Sequence, residues 1–172
     1  MNLSSPSPRS SRPPRWATVI ATSFGAGFMP KAPGHTGTLT AVPLAWALGR
    51  LGQSAFLIGL AIVTVVGSVA ADVFGRATGK TDDQRIVIDE VAGYLVTLVP
   101  VARSPVNLVL AFGLFRLFDV WKPPPIGAID RNVPGGFGVM ADDLGAGVYG
   151  AIILYLLNHC GAVARLSAWL GL

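Results

Sequence analysis

Asp142 and Asp143 stand side by side at the mouth of one of the two longest charge-free runs in the chain, Leu144 to Ala164. A second carboxylate pair, Asp89-Glu90, precedes the apolar stretch Val91 to Ala102. Ionisable groups bordering so much apolar sequence are costly, which makes them candidates for chemistry. Oxygen-rich clusters suit Mg²⁺, which takes one or two carboxylates and keeps waters that a phosphate can replace. Successive helical residues point about 100° apart, so one member of each pair can face a metal while the other faces a neighbouring helix. Arg116, Asp119 and Lys122 follow at i, i+3, i+6, along one side of a helix. Lys122 immediately precedes Pro123-Pro124-Pro125, which fix where its side chain is presented. The plainer reading is that aspartates near helix starts cap N–H groups and that Arg116–Asp119 is an ordinary ion pair. Capping is adequate for one pair alone; two pairs plus Asp119 on one face favour chemistry.

The segment Met29 to Thr38 adds Lys31, His35, Thr36 and Gly37. Its glycines let backbone approach a ligand, and the helix that follows offers unpaired N–H groups suited to an anion. Thr36 or Thr38 can equally cap that helix. Gly135-Gly136-Phe137-Gly138 invites a similar phosphate-loop reading, with a flexible connector as the rival. Asp130-Arg131 lies between these blocks.

These residues need a scaffold, and composition indicates which. Hydrophobic residues make up 52% of the 172 and charged residues only 13%, against roughly a quarter charged in a soluble domain. The expectation is an all-α, polytopic membrane bundle of about five main helices. Net charge is +4, but no basic stripe runs along a helix, so nucleic acid is not expected as a partner. Residues 1–15, rich in Ser, Pro and Arg, read as a disordered basic tail without a secretory signal, and 16–172 as a single membrane domain. Single Cys160 excludes an internal disulfide. The main helices are expected over Gly37–Leu51, Ser54–Ala77, Ile86–Pro100, Pro105–Val120 and Ala141–Asn158. Weaker helices are expected near Trp16–Ser23 and Val163–Leu170. Several are shorter than the roughly 20 residues a perpendicular span needs.

If the five alternate in direction, as bundle helices joined by short loops tend to, one face collects most of the charge. It receives Lys31 and His35, Asp72 to Arg85, Asp89-Glu90, Arg116 to Lys122, Asp130-Arg131 and Asp142-Asp143. The other face receives only Arg50, Arg103 and Arg165. The Lys/Arg excess assigns the rich face to the cytoplasm.

Other phosphatase chemistries fit poorly. Cys160 and Arg165 are spaced one residue short of a cysteine-phosphatase loop, and the second histidine, His159, falls on the wrong face for a histidine-dependent site. No Asp-x-Asp-x-Thr sequence occurs. Carboxylate and metal chemistry is left.

Five ordered blocks resemble the phosphatidylglycerophosphatase A family. They are Pro30-x-x-Pro33-Gly34-x-x-Gly37-Thr38-Leu39-x-Ala41-x-Pro43; Ile88-Asp89-Glu90-x-x-Gly93-Tyr94; Phe115-Arg116-x-x-Asp119-x-x-Lys122-Pro123-x-Pro125-Ile126; Asp130-Arg131; and Gly135-Gly136-x-Gly138-x-Met140-x-Asp142-Asp143. The chain departs from the family pattern at His35, where a threonine is expected, and at Pro124, where an aromatic is common. The resemblance implies a Mg²⁺-dependent inner-membrane phosphatase that converts phosphatidylglycerophosphate to phosphatidylglycerol and phosphate. Asp89, Glu90, Asp119, Asp142 and Asp143 are the expected metal-binding and catalytic set. Lys31, His35, Thr36, Gly37, Arg116, Lys122 and Arg131 are the expected phosphate contacts. His35 as proton donor and an aspartyl-phosphate intermediate both stay open, as does oligomeric state. Rival readings are a related phosphatase acting on another phosphomonoester, a carboxylate-lined transporter or channel, and a non-catalytic assembly protein. A transporter predicts carboxylates spread through the membrane depth.

Overall fold

The computed structural model describes residues 12–80, 83–127 and 135–171, and among these every regular element is helical. The helices are α1 (Arg15–Ala21), α2 (Pro33–Arg50), α3 (Gln53–Thr78), α4 (Ile88–Thr97), α5 (Pro105–Trp121), α6 (Gly135–His159) and α7 (Ala162–Leu170), with a 3₁₀ turn at Ala26–Phe28. The all-α expectation holds. Of the tail expected at 1–15, residues 1–11 lie outside the described residues, and Arg15 opens α1.

Local signals account for most boundaries. Pro33 and Pro105 occupy first turns, where a missing N–H costs nothing. Ser104 caps α5 by accepting from the Asn107 N–H. Gly79 ends α3 in the left-handed region, and the N–H groups of Gly79 and Lys80 return to Arg76 and Gly75 carbonyls.

Only α3 and α6, at 26 and 25 residues, are long and apolar enough among the described residues to cross a membrane. Their outer faces present Ile58, Ile62, Val65, Val69, Ile152 and Leu156 to the surroundings. Helix α4 is different: at ten residues it is about 15 Å long, and Ile88, Val91, Ala92, Tyr94 and Leu95 are all buried. It forms the axis of the bundle, with α2, α3, α5 and α6 packed around it.

Small residues allow that packing, as in membrane bundles generally. A Cβ on Gly93 would meet the Phe115 ring and lie 2.6 Å from the Asp143 carbonyl oxygen. A Cβ on Gly147 would strike the Gly93 carbonyl. The α4 and α6 backbones therefore touch one turn below the carboxylates.

Three expected boundaries are corrected. Helix α2 starts at Pro33, not Gly37, because proline suits a first helical turn, so Gly34, His35 and Thr36 are helical. Helix α4 stops at Thr97 instead of Pro100, because residues 98–100 form turns. Helix α6 starts at Gly135, not Ala141, so Gly135-Gly136-Phe137-Gly138 is its first turn rather than a connector. Gly136 seats that turn against the Ser68 carbonyl and Asp72 backbone of α3.

Candidate active site

The longer α6 changes the status of the opening carboxylates. Asp142 and Asp143 lie more than one full turn inside the helix, where side chains have no free N–H groups to cap. Both are buried, at 6% and 4% exposure. Asp89 and Glu90 occupy the first turn of α4, and Asp89 Oδ1 accepts from the Glu90 N–H at 3.1 Å. The backbone contact at Gly93 sets the two helices in register. As a result Asp89, Glu90 and Asp143 each offer one oxygen within 4.8 Å of the others.

Three carboxylates so close are mutually repulsive. At an effective dielectric near 20, each charged pair costs about 3 kcal/mol. Burial raises the proton affinity of both Asp89 and Glu90, whose charged forms lose hydration on the short α4. Glu90 Oε2 and Asp143 Oδ2 are buried with no hydrogen-bond partner. Buried acceptors are rarely left so, and an all-oxygen set with open lone pairs fits a hard divalent cation.

Cations border the cluster. On α5, Arg116 Nη1 lies 2.6 Å from Asp119 Oδ2 and 3.9 Å from Glu90 Oε1. Its Nη2 lies 3.5 Å from His35 Nδ1. Lys122 closes α5 in the left-handed region at φ 45°, and its Nζ lies 2.6 Å from Asp142 Oδ2. The prolines that follow keep α5 from continuing, so the ammonium is turned towards α6.

The glycine loop contributes differently from expectation. The Thr36 hydroxyl donates to the Ala26 and Pro33 carbonyls, tying the loop to the start of α2. Gly37 packs on Val87, where an added Cβ would lie 2.6 Å from the valine Cβ. His35 and Lys31 are exposed, with His35 at the Arg116 guanidinium. Arg131 and Asp130 lie outside the described residues. Gly34 is a position that sequence reasoning did not single out as part of the site. A Cβ there would strike Glu90 Oε1 and approach Arg116 Nη1 to 2.9 Å. Its signal was the Pro-Gly step, which reads as a turn and says nothing of what the turn must clear.

Nearby, Asp83 receives two bonds from the Arg85 guanidinium, at 2.8 and 2.6 Å, and the hydrogen bonds hold its carboxyl below the ordinary range. That pair is satisfied; the cluster on α4 and α6 is not.

Fold and cluster together define, among the described residues, an all-helical protein with two helices long and apolar enough to cross a membrane and with buried and half-buried acidic groups gathered together. Residues 19–158 match the family Phosphatidylglycerophosphatase A. Phosphatidylglycerophosphatase A of Escherichia coli (strain K12) is 36% identical over 150 residues, covering 87% of each chain. The Haemophilus influenzae protein of the same name is 34% identical over 143 residues, 82% of this chain and 88% of that one. A Bacteroides thetaiotaomicron relative, named provisionally as a phosphatidylinositol-3-phosphatase, is 37% identical over 153 residues, 83% of this chain and 94% of its own. No solved structure matches the chain. The chain belongs to the phosphatidylglycerophosphatase A family, and is a phosphatase.

Proposed function

We propose that the protein hydrolyses the phosphomonoester of phosphatidylglycerophosphate, with Mg²⁺ as cofactor, in bacterial phospholipid synthesis. The product is phosphatidylglycerol, and the site faces the cytoplasm from a multi-pass protein of the inner membrane. The observation that carries the reading is the oxygen cluster of Asp89, Glu90 and Asp143 beside Arg116. Asp89, Glu90 and Asp143 would hold the metal, with Asp142 and Asp119 alongside. When bound, Mg²⁺ offsets phosphate charge and acidifies water.

The chain's own groups divide the remaining work. Arg116 offers a planar fork of N–H donors for phosphate oxygens, and Asp119 and Glu90 hold that fork in place. Lys122 adds charge from the α6 side, positioned by Asp142. Lys31, just before α2, and His35, in its first turn, are exposed, where a headgroup at membrane depth would pass. His35 orients Arg116; Gly34 leaves the room in which Glu90 and Arg116 meet. Arg131 is a further phosphate contact in this reading.

The test is phosphate release from phosphatidylglycerophosphate in detergent, with Mg²⁺ and then with EDTA. Release that stops on chelation and returns with Mg²⁺ is expected; release unaffected by EDTA overturns the metal role. The name of the Bacteroides relative favours one second reading, a phosphoinositide substrate. Faster turnover of phosphatidylinositol 3-phosphate in the same assay would select it.

A further inference from the structure

The end of the bundle far from the carboxylates carries its own arrangement. Helices α3 and α6 meet closely where Gly136 packs on Ser68. Between them and the end of α4 lies a groove of about 530 Å³, lined almost wholly by carbon. Leu57 and Leu60 form its α3 wall, Val99 its floor, and Val148, Ile152 and Tyr155 its α6 wall. From Val148 to Leu156 it follows α6 for about 12 Å.

A polar group closes one end. Gln53, Leu57 and Leu60 are spaced i, i+4, i+7, so Gln53 continues the α3 wall. Gln53 Nε2 donates to the Val99 carbonyl at 3.1 Å, and Gln53 Oε1 accepts from Arg103 Nη1 at 2.7 Å. The guanidinium lies 3.9 Å over the Phe56 ring and also donates to the Val99 carbonyl at 3.5 Å. Arg50, beside the Gly49 that packs on Arg103, is the neighbouring cation. Asp72 is the first side-chain carboxylate in the chain, and none occurs in 91–118 or 144–172. The two arginines therefore sit in a half of the molecule whose described residues include no carboxylate.

We propose that this groove is a binding site for an anionic phospholipid of the opposite leaflet, with one acyl chain between α3 and α6 and the net-negative headgroup at Arg103 and Gln53. Charge selects the occupant. The guanidinium has five N–H donors, only partly used by neutral acceptors, and a net-negative headgroup supplies the anion, whereas choline would set a second cation beside the guanidinium. A second copy of the chain would bring another uncompensated arginine to the same end. The groove opens on the side of α4 and α6 bounded by α3, whereas Arg116 and His35 approach the carboxylates from α5 and α2. The site is thus separate from the phosphatase cluster and does not depend on the proposed substrate.

The experiment is native mass spectrometry of the detergent-solubilised full chain with chain-matched phosphatidylserine and phosphatidylcholine. Wild type should retain phosphatidylserine about tenfold better, the scale of one charge-assisted hydrogen bond. Arg103→Gln should erase the preference, and Ala151→Phe, which fills the groove, should reduce retention of both lipids. Asp143→Asn should leave the preference unchanged. Equal retention of the two lipids by wild type, or a preference that survives Arg103→Gln, overturns the proposal. A preference lost in Asp143→Asn overturns it too, since the lipid would then be read at the carboxylates.

Discussion

Two partly buried polar groupings lie towards opposite ends of the α5–α6 pair, the second shared with α4, and they obey opposite rules. At one end Asn107 and Asn158 exchange amide hydrogen bonds, Nδ2 to Oδ1 at 3.2 and 3.0 Å in the two directions. Each amide also donates to a backbone carbonyl, of Ala102 and Leu154 respectively, at 2.8 Å. At the other end Asp89, Glu90 and Asp143 are crowded together, with carboxylate oxygens of Glu90 and Asp143 left unbonded. A closed network of this kind stabilises helix pairing; an open one keeps a repulsion that the proposed cation would relieve. Burial alone does not separate structure from function, whereas unmet hydrogen-bonding capacity does.

The comparison breaks most decisively under Asp143→Asn or Asp89→Asn. Each should lower phosphate release by more than about a thousandfold, comparable with losing a principal electrostatic element of a catalytic site. Each should also raise the metal-free melting temperature, because one member of a repulsive pair is removed. A fall in both quantities would place these carboxylates with the asparagines as structural groups.

Arg116→Lys should cost about ten- to a hundredfold in kcat/KM, since an ammonium cannot reproduce the fork that meets Asp119 and Glu90 and, in the proposed reaction, a phosphate. Steady-state kinetics in detergent would measure it, and an unchanged kcat/KM would remove the clamp. Asn107→Leu should instead destabilise by about 1–3 kcal/mol, because Asn158 loses its partner, with turnover per folded molecule unchanged. The double variant Asn107→Leu/Asn158→Leu should recover much of that loss in thermal unfolding. His35→Ala should have the smallest effect, a few-fold on kcat, if the ring only orients Arg116. A loss beyond about a hundredfold would make His35 the proton donor.

The same contrast shows what was legible in the residues. Helices α3 and α5 are readable because Gly52, Gly79 and Pro105 mark their ends in ways each residue's own backbone dictates, whereas α2 opens four residues before its expected start. The start of α6 is hidden, because Gly135-Gly136-Phe137-Gly138 has the composition of a loop and becomes helical through packing on α3. That tertiary effect moved Asp142 and Asp143 from a helix mouth into a helix interior. The carboxylate pairs themselves are conspicuous by charge against an apolar background. Their partners depend on backbone approach, as at Gly93 and Gly34, and a pattern of residue types does not encode distance.

The all-round burial of α4 predicts an uneven mutational landscape. Every residue from Val91 to Leu95 is enclosed, so enlarging one side chain disturbs helices on several sides. Positions such as Ile58, Ile62 and Val65 on α3 face outward and need only remain apolar. In a deep substitution library, α4 and its glycine contact on α6 should accept almost nothing, while the outer face of α3 drifts freely among aliphatic residues. The shortest of the helices around the site would then carry the narrowest range of sequences.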